Sequence, residues 1–258
     1  MENSLTDNKL NNDKIIKVEN LKVQYGPRVI LENVNFDIKR GEVFMIVGGS
    51  GCGKSTLLRQ LIGLESPTKG TIIIEGENLT EANEEKSVMI MRKNGVLFQF
   101  NGLFASMTLE ENIALILEKY TYLTQKQIKD VVDLKLSLVG LSGFQNYKPA
   151  EISGGMKKRA ALARAMALDP AILFFDEPSS GLDPLTSASL DNLIKELNSA
   201  LNTTMVIVTH DLASILSISH RIIMLDSSIK GILATGTPEE LRNNENEIVY
   251  RFFNRLLE

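Results

Sequence analysis

Cysteine, histidine and tryptophan are scarce in this sequence, and their scarcity excludes several classes of protein. The chain of 258 residues contains one cysteine, two histidines and no tryptophan. A single cysteine cannot form an internal disulfide or a cysteine-cluster metal site, and two histidines leave little room for histidine metal ligation. The composition therefore argues against a disulfide-stabilised or zinc-bound domain.

Long apolar runs and a large excess of one charge are missing as well. No apolar stretch reaches the roughly 18 residues of a transmembrane helix, and the polar start MENSLTDNKLNNDK lacks the apolar core of a secretory signal. We therefore expect a cytosolic chain. The net charge of −4 disfavours a general nucleic-acid binder. An apolar content of 43% is enough for one large α/β domain or two small ones.

A glycine-rich stretch, GGSGCGKST, follows an apolar run and precedes a helix-like segment. It fits the phosphate-binding pattern G-x-x-x-x-G-K-[ST]. Glycines let the backbone approach a phosphate closely, and backbone N–H groups at a helix N-terminus cradle it. We expect the lysine to contact the β- and γ-phosphates and the serine hydroxyl to be a magnesium ligand. The predicted ATP-binding residues of this loop are Gly48, Gly49, Ser50, Gly51, Cys52, Gly53, Lys54, Ser55 and Thr56.

The cysteine inside this loop raises a separate hypothesis. Cys52 lies between two glycines, near Lys54 and a helix N-terminus, which favours a reactive thiolate. The alternative is an inert small side chain.

Two acidic residues and a histidine follow strongly apolar runs. AILFFDEP predicts a parallel strand buried on both faces that ends at Asp176 and Glu177. Open α/β sheets bind ligands at this edge. Adjacent side chains of an extended chain face different directions. One carboxylate can therefore hold the water shell of a metal ion while the other contacts an attacking water. His210 ends the next buried strand and is a candidate contact for the γ-phosphate, with a structural role as the alternative.

The rest of the chain predicts strands, a helical insert and an amphipathic tail. KIIKVENLKVQYG and ENVNFDIKRGEV predict short antiparallel strands, and helical patterns from Leu109 to about Ala150 interrupt the strand–helix alternation. Tyr25 is either a strand aromatic packed on the core or a plate for a purine base. Residues 245–258 have apolar residues at helical spacing, which pack on their own domain or dock on a partner.

A basic cluster follows Ser-Gly-Gly at residues 153–155. Lys157, Lys158 and Arg159 lie in the first turn of a predicted helix, where cations oppose the helix dipole. They form a solvated basic face, or an anion completes the helix N-terminus.

Taken in order, these motifs resemble those of the ATPase subunit of ABC transporters over about residues 15–244. The resemblance implies an α/β fold: a P-loop NTPase (RecA-like) core, an antiparallel β subdomain and an α-helical subdomain inserted at about 100–168. A disordered lead-in, residues 1–14, precedes this domain, and the amphipathic tail 245–258 follows it. The family hydrolyses ATP to drive transport, which implies ATP and Mg²⁺ as cofactors.

The resemblance also implies a role for each motif. Tyr25 matches the adenine-stacking aromatic and Asp183 belongs to the D-loop. Glu177 matches the catalytic glutamate and His210 the switch histidine. The implied magnesium ligands are Ser55, Gln99 of the Q-loop and Asp176. In a head-to-tail homodimer, the residues that bind the partner's ATP in trans are Ser153, Gly154 and Gly155 of the signature.

Two features resemble one branch of the family, the MlaF-type ATPases of the MCE-associated (Mla) phospholipid transport systems. Met156 stands where glutamine is usual, and the Q-loop reads LFQFNGLFASMTLEEN. Phe100, Asn101 and Gly102 depart from the FQSGALF pattern of that branch. A methionine cannot make the glutamine's polar contacts, so we expect a slightly different nucleotide affinity.

The resemblance to this branch implies phospholipid transport between the inner and outer membrane. It places the chain at the cytoplasmic face of the inner membrane, held there by an integral membrane permease (MlaE-like). The other implied partners are a periplasmic MCE protein (MlaD-like) and a small STAS-domain subunit (MlaB-like). The alternatives are an ABC transporter for another solute and a soluble ABC protein acting on ribosomes or DNA. The sequence shows neither the tandem domains nor the long coiled-coil insertion of the soluble proteins.

Overall fold

The computed structural model describes residues 13–256. The predicted disordered lead-in lies outside the described residues up to residue 12, and the first strand already begins at Lys14. The strands are β1 (Lys14–Tyr25), β2 (Arg28–Lys39), β3 (Val43–Gly48), β4 (Lys69–Ile74), β5 (Glu77–Asn78), β6 (Asn94–Leu97), β7 (Ile172–Asp176), β8 (Thr204–Val208), β9 (Arg221–Asp226) and β10 (Gly231–Gly236).

Every helix except α1, whose N-cap is Gly53, begins at a residue whose side chain caps it. Thr124, the predicted cap, accepts a hydrogen bond from the backbone N–H of Gln127. The helices are α1 (Lys54–Leu61), α2 (Glu84–Met91), α3 (Leu109–Tyr120), α4 (Gln125–Leu138), α5 (Gly154–Ala165), α6 (Pro184–Leu201), α7 (Leu212–Ile218), α8 (Pro238–Arg242) and α9 (Glu247–Asn254). Helix α2 was not predicted, although the cap Asn83 before Glu84 and Glu85 is a recognisable start signal.

The strands form two sheets. The antiparallel sheet has the order β2-β1-β4-β5, and the predicted β1–β2 pair closes where Tyr25 pairs with Arg28. The second sheet has the order β10-β9-β3-β8-β7-β6; its strands are parallel except β10, which forms the predicted closing hairpin with β9. Parallel strands bring their carboxyl ends to one edge. The phosphate-binding loop, the Asp176–Glu177 pair and His210 therefore meet there.

The central strands are apolar on both faces, and alternate residues enter two different cores. In β7, Leu173 and Phe175 pack towards helices α3–α6, whereas Ile172 and Phe174 pack towards α1 and the antiparallel sheet. Strands β3 and β8 show the same alternation. The continuous apolar runs of the sequence follow from this double burial.

The C-terminal helix α9 belongs to the same body. Val249 and Phe253 are buried in the core that α3–α6 share, while Ile248 and Tyr250 of the opposite face are exposed. The described part of the tail thus packs on its own domain, and Leu257 lies outside the described residues. Within residues 13–256, every helix is too short or too polar to span a bilayer.

Candidate active site

The phosphate-binding loop joins β3 to α1 and folds around its own lysine. Lys54 Nζ donates to the carbonyls of Gly48 and Gly49 at 2.8 and 3.0 Å. A Cβ on Gly48 would lie 2.3 Å from the carbonyl oxygen of Leu225, so only glycine fits there. Gly53, at the N-cap of α1, has a φ of 104°. The loop thus forms a backbone nest suited to an anion, and the ammonium group of Lys54 is held beside it.

Cys52 is part of this loop, and its side chain is buried. Burial raises the pKa of its thiol, and this effect outweighs the opposing charge of Lys54. The predicted reactive thiolate is therefore wrong, because desolvation dominates over the neighbouring cation. The inert alternative fits the structure.

Asp176 is the last residue of β7 and Glu177 follows it, as predicted. Burial, and then the charge of Glu177, raises the pKa of Asp176, whereas the charges of Arg59, Lys158 and Lys54 lower it. Asp176 Oδ1 is buried and has no hydrogen-bond partner among the described residues. A buried carboxylate oxygen without a partner, beside a phosphate-binding loop, suits a bound cation.

Glu177 and His210 meet directly. His210 Nδ1 lies 2.8 Å from Glu177 Oε1, with 71% of the histidine side chain and 13% of the glutamate side chain exposed. Glu177 has a φ of 48°, which is uncommon for a residue with a side chain. Its N–H donates to the carbonyl of Val208 at 2.8 Å, which fixes this conformation to strand β8. Backbone strain of this kind is concentrated at functional sites.

A cleft of about 540 Å³ opens beside this pair. The D-loop, the residues after His210 and the end of the C-terminal helix form its walls. Its lining residues are Glu177, Ser179, Ser180, Gly181, His210, Asp211, Leu212, Phe252 and Arg255.

Gln99 lies two residues after the end of β6, and cations from helix α5 hold the Q-loop around it. Lys158 is 4% exposed and donates to the carbonyl of Gln99 at 2.6 Å. Arg164 donates to the carbonyl of Gly102 at 2.6 Å, and its guanidinium lies 5.2 Å from the ring centroid of Phe104. Burial lowers the pKa of Lys158, while the charges of Asp176 and Glu177 oppose that shift.

A buried amide holds the other end of the Q-loop. Asn112, in the first turn of α3, accepts from the N–H of Phe104 at 2.8 Å. Its amide nitrogen, which has two hydrogens, lies within hydrogen-bond distance of the carbonyls of Phe104, Met107 and Thr108 at 3.1, 3.2 and 2.8 Å. The sequence contained no motif for these contacts, because an asparagine or a lysine in a helix acquires such a role only from its tertiary neighbours.

The signature and the D-loop lie at two neighbouring helix starts. Ser153 Oγ accepts from the N–H of Met156 at 3.3 Å and caps α5. Asp183 caps α6 through the N–H groups of Leu185 and Thr186, both at 3.1 Å. Among the described residues, no hydrogen bond joins the signature to the phosphate-binding loop. Binding of ATP in trans therefore stays a prediction.

The basic residues that follow the signature contact different parts of the protein. Lys158 is buried on the Q-loop, and Arg159 donates to the carbonyl of Val139 at 3.0 Å and to Ser189 Oγ at 2.8 Å. A solvated basic face is therefore wrong for these two residues. Met156 is partly buried against the helical core.

Tyr25 lies at the surface with its ring 47% exposed. Its hydroxyl is hydrogen-bonded to Glu65, and this contact raises the pKa of the phenol. Arg59 lies 3.5 Å from the same carboxylate. The exposed ring is consistent with stacking on a nucleotide base and not with packing in the core.

Relatives share this architecture and much of the sequence. The family model described as ABC transporter matches residues 31–180. The chain is 38% identical to the "Intermembrane phospholipid transport system ATP-binding protein MlaF" of Haemophilus influenzae, over 93% of this chain and 90% of that protein. It is 41% identical to the "Probable ribonucleotide transport ATP-binding protein mkl" of Mycobacterium leprae, over 93% of this chain and 68% of that protein.

Solved structures give the same answer for the fold. The cbiO1 protein of Clostridium perfringens, part of the transporter complex cbiONQ, superposes with a TM-score of 0.82 at 29% identity, over 95% of this chain and 96% of that chain. The ATP-binding cassette MJ0796, in a dimeric post-hydrolysis state with ADP and Pi, gives 0.76 at 31% identity, over 86% and 98%. The predicted P-loop fold is confirmed. This chain belongs to the ABC transporter family, as an ATP-binding and ATP-hydrolysing subunit.

Proposed function

We propose that this chain powers phospholipid transport between the inner and outer membrane, as the ATPase of an Mla-type system. The observation that carries this proposal is the similarity to MlaF, which extends over nearly the whole of both chains. In such a system the chain is peripheral to the cytoplasmic face of the inner membrane and is held there by a permease. A periplasmic MCE protein and a small STAS-domain subunit complete the set of partners.

An exposed aromatic surface supports docking on a permease. The coupling surface, as we name it, consists of Phe98, Phe100 and Phe104; Phe100 is 88% exposed. Large aromatic side chains in water are costly unless a partner covers them. Lys158, from α5, holds the backbone beneath them, so the surface is presented in a fixed shape. An apolar cytoplasmic segment of a permease fits this chemistry.

Two copies of the chain would enclose two nucleotides. The signature caps α5 with Ser153 and leaves the N–H groups of Gly154 and Gly155 at an exposed helix start, a suitable site for the partner copy's γ-phosphate. A Cβ on Gly155 would lie 2.5 Å from Thr186 Cγ2, so this helix start accepts no side chain there.

Each residue at the sheet edge has a distinct task in ATP hydrolysis. Lys54 and the loop amides hold the phosphates, and Tyr25 stacks on the base. Glu177 polarises the attacking water, and His210 stabilises the charge on the transferred phosphoryl group. Phosphoryl transfer depends mainly on positioning and charge stabilisation, which these preorganised groups supply.

Magnesium is the cation that suits Asp176. The carboxylate of Asp176, the hydroxyl of Ser55 and the side-chain amide oxygen of Gln99 are hard oxygen donors of the kind that Mg²⁺ binds. The bound ion would neutralise charge on the β- and γ-phosphates. The unpartnered Oδ1 of Asp176 supports this assignment.

A second candidate substrate class follows from the mycobacterial relatives. Their names specify probable ribonucleotide transport, and the Mycobacterium leprae protein is 41% identical to this chain. The ATPase chemistry would be the same in both cases, since the permease and its associated proteins select the substrate.

Co-purification distinguishes these candidates. We would tag the N-terminus, solubilise native membranes gently, and identify the recovered proteins and lipids by mass spectrometry. A permease, an MCE protein and bound phospholipid are expected. A permease without an MCE protein would contradict the phospholipid assignment and leave another solute, and ribosomes or DNA-repair factors alone would contradict transport. Phe100→Ala should reduce permease recovery, whereas Tyr122→Ala, which removes a fully exposed aromatic elsewhere, should not.

A further inference from the structure

Two carboxyl groups, those of Asp191 and Asp211, contact the same serine next to the segment that carries His210, and neither belongs to the catalytic set described above. Asp191 lies in α6, the helix that Asp183 of the D-loop caps, and is 6% exposed. Asp211 directly follows His210 and caps α7, where its Oδ1 accepts from the N–H of Ala213 at 3.0 Å. The N–H of Asp211 donates to Thr209 Oγ1 at 3.0 Å, which fixes the backbone on the other side of His210.

Two buried serines connect these carboxyl groups. Ser214 Oγ lies 2.7 Å from Asp191 Oδ2 and 3.3 Å from Asp211 Oδ2. Ser187 Oγ lies 3.4 Å from Asp211 Oδ2. The resulting chain of contacts runs from the middle of α6 to the residue that follows the switch histidine.

The number of available hydroxyl and carboxyl hydrogens decides the direction of these hydrogen bonds. Ser214 has one hydroxyl hydrogen but faces two carboxyl oxygens, so it satisfies only one of them when both groups are ionised. With a proton on Asp191, every contact has a donor: Asp191 donates to Ser214, and Ser214 donates to Asp211. Loss of that proton turns the Ser214 hydroxyl towards Asp191 and removes a donor from Asp211.

We propose that Asp191, Ser214 and Asp211 share this proton in a hydrogen-bonded relay that positions the loop carrying His210. Asp191 is therefore a positioning residue for the ATPase reaction, acting through Ser214 and Asp211. The inference rests on the proposed role of His210 in hydrolysis. It links the D-loop helix to the switch histidine inside one protomer.

The electrostatics around Asp191 support gain and loss of its proton in the physiological pH range. Burial raises the pKa of Asp191 to about 6; the hydrogen bond from Ser214 lowers it, and the charge of Asp211 raises it. The neighbouring helix α5 brings Arg159, whose guanidinium is directed to Ser189 and Val139 instead. Below about pH 6 the relay holds its proton, and above that pH it loses it.

Histidine NMR tests the relay directly, because the chain has two histidines. His220 accepts from the N–H of Val43 at 3.0 Å, away from the relay, and is an internal control. We would follow the imidazole C–H signals of the purified full chain between about pH 5 and about pH 8. The difference in His210 chemical shift between wild type and Asp191→Asn should change as the pH passes about 6, whereas the corresponding His220 difference should stay constant.

Kinetics test whether the relay matters for hydrolysis. Asp191→Asn mimics the protonated state at every pH, since its amide donates to Ser214. The ratio of its kcat to that of the wild type should rise from about 1 below pH 6 to about threefold at alkaline pH, with KM unchanged, as one recovered hydrogen bond predicts. Glu196→Gln removes an exposed carboxylate from the same helix and should show a constant ratio.

A third variant separates the relay from a merely structural role. Ser214→Ala interrupts it, so Asp191→Asn should have no further effect on the His210 signal or on the pH dependence of kcat in that background. Superimposable His210 curves for wild type and Asp191→Asn would overturn the relay. An altered His210 curve with an unchanged pH dependence of kcat would instead overturn the proposed role of His210, so the two failures are distinguishable.

Thermal unfolding checks that Asp191 itself titrates. Its folded pKa of about 6 lies above the ordinary aspartate value of 3.8, so folding favours the protonated acid. The favourable contribution of that proton is lost as the pH rises through about 6. The difference in Tm between Asp191→Asn and wild type should therefore grow with pH, and a constant difference would contradict the assigned titration.

Discussion

The phosphate-binding loop and the Q-loop both surround the nucleotide site, but different kinds of contact hold them. The first is closed by Lys54 on Gly48 and Gly49, six and five residues away in sequence. The second is held by Lys158 and Arg164, whose partners are 59 and 62 residues away. Contacts between residues close in sequence can be recognised as a sequence motif. Contacts between residues far apart in sequence cannot. The comparison also separates the loop that binds phosphate from the surface that we propose a permease contacts.

The largest effect is expected from a substitution of Glu177, which concerns ATP hydrolysis itself. Glu177→Gln keeps the shape of the side chain but removes the charge that we propose polarises the attacking water, so kcat should fall by about 10³-fold while ATP binding is preserved. Single-turnover hydrolysis and equilibrium nucleotide binding measure the two quantities separately. Glu196→Gln is the matched control, and a Glu177→Gln protein with near-normal turnover would remove Glu177 from the mechanism.

The next effect concerns the distant contacts of the Q-loop. Lys158→Met preserves most of the side-chain volume but leaves the carbonyl of Gln99 without its donor. Backbone amides of residues 100–104 should then exchange hydrogen about tenfold faster, as the loss of about 1.4 kcal/mol of local stability predicts. Hydrogen exchange with mass spectrometry measures this change.

Lys157→Met provides the control for this experiment. It removes the neighbouring cation of the same helix, which is partly exposed. Equal exchange rates in the two variants would show that Lys158 does not restrain the Q-loop, and the comparison with the phosphate-binding loop would lose its basis.

The smallest effect is expected at Cys52. Its thiol is buried and its pKa is raised by burial, so maleimide should label the native protein at least about tenfold more slowly than the unfolded protein. Intact-mass spectrometry follows the reaction with and without ATP. Rapid labelling of the native chain, with protection by ATP, would restore the reactive thiolate that the structure contradicts.

Particular residues show how far sequence patterns can predict a site. The positions of Lys54, Asp176, Glu177 and His210 at one sheet edge follow from apolar runs and a loop motif, because parallel strands share a carboxyl edge. The sequence did not predict that Lys158 is buried against the Q-loop, since the pattern only places it in the first turn of a helix. For Cys52 the pattern was misleading, because a thiol's pKa depends on how much protein covers it.

By itself, the sequence determined the phosphate-binding loop, the apolar strands and the ABC transporter family, because these depend on local spacing and on alternation with a fixed period. Tertiary structure alone decided the burial of Cys52, the restraints on the Q-loop and the meeting of Asp191 with Asp211. These features depend on which side chains lie together after the sheet has formed. Desolvation and hydrogen bonding act over a few ångströms in space, regardless of distance along the chain.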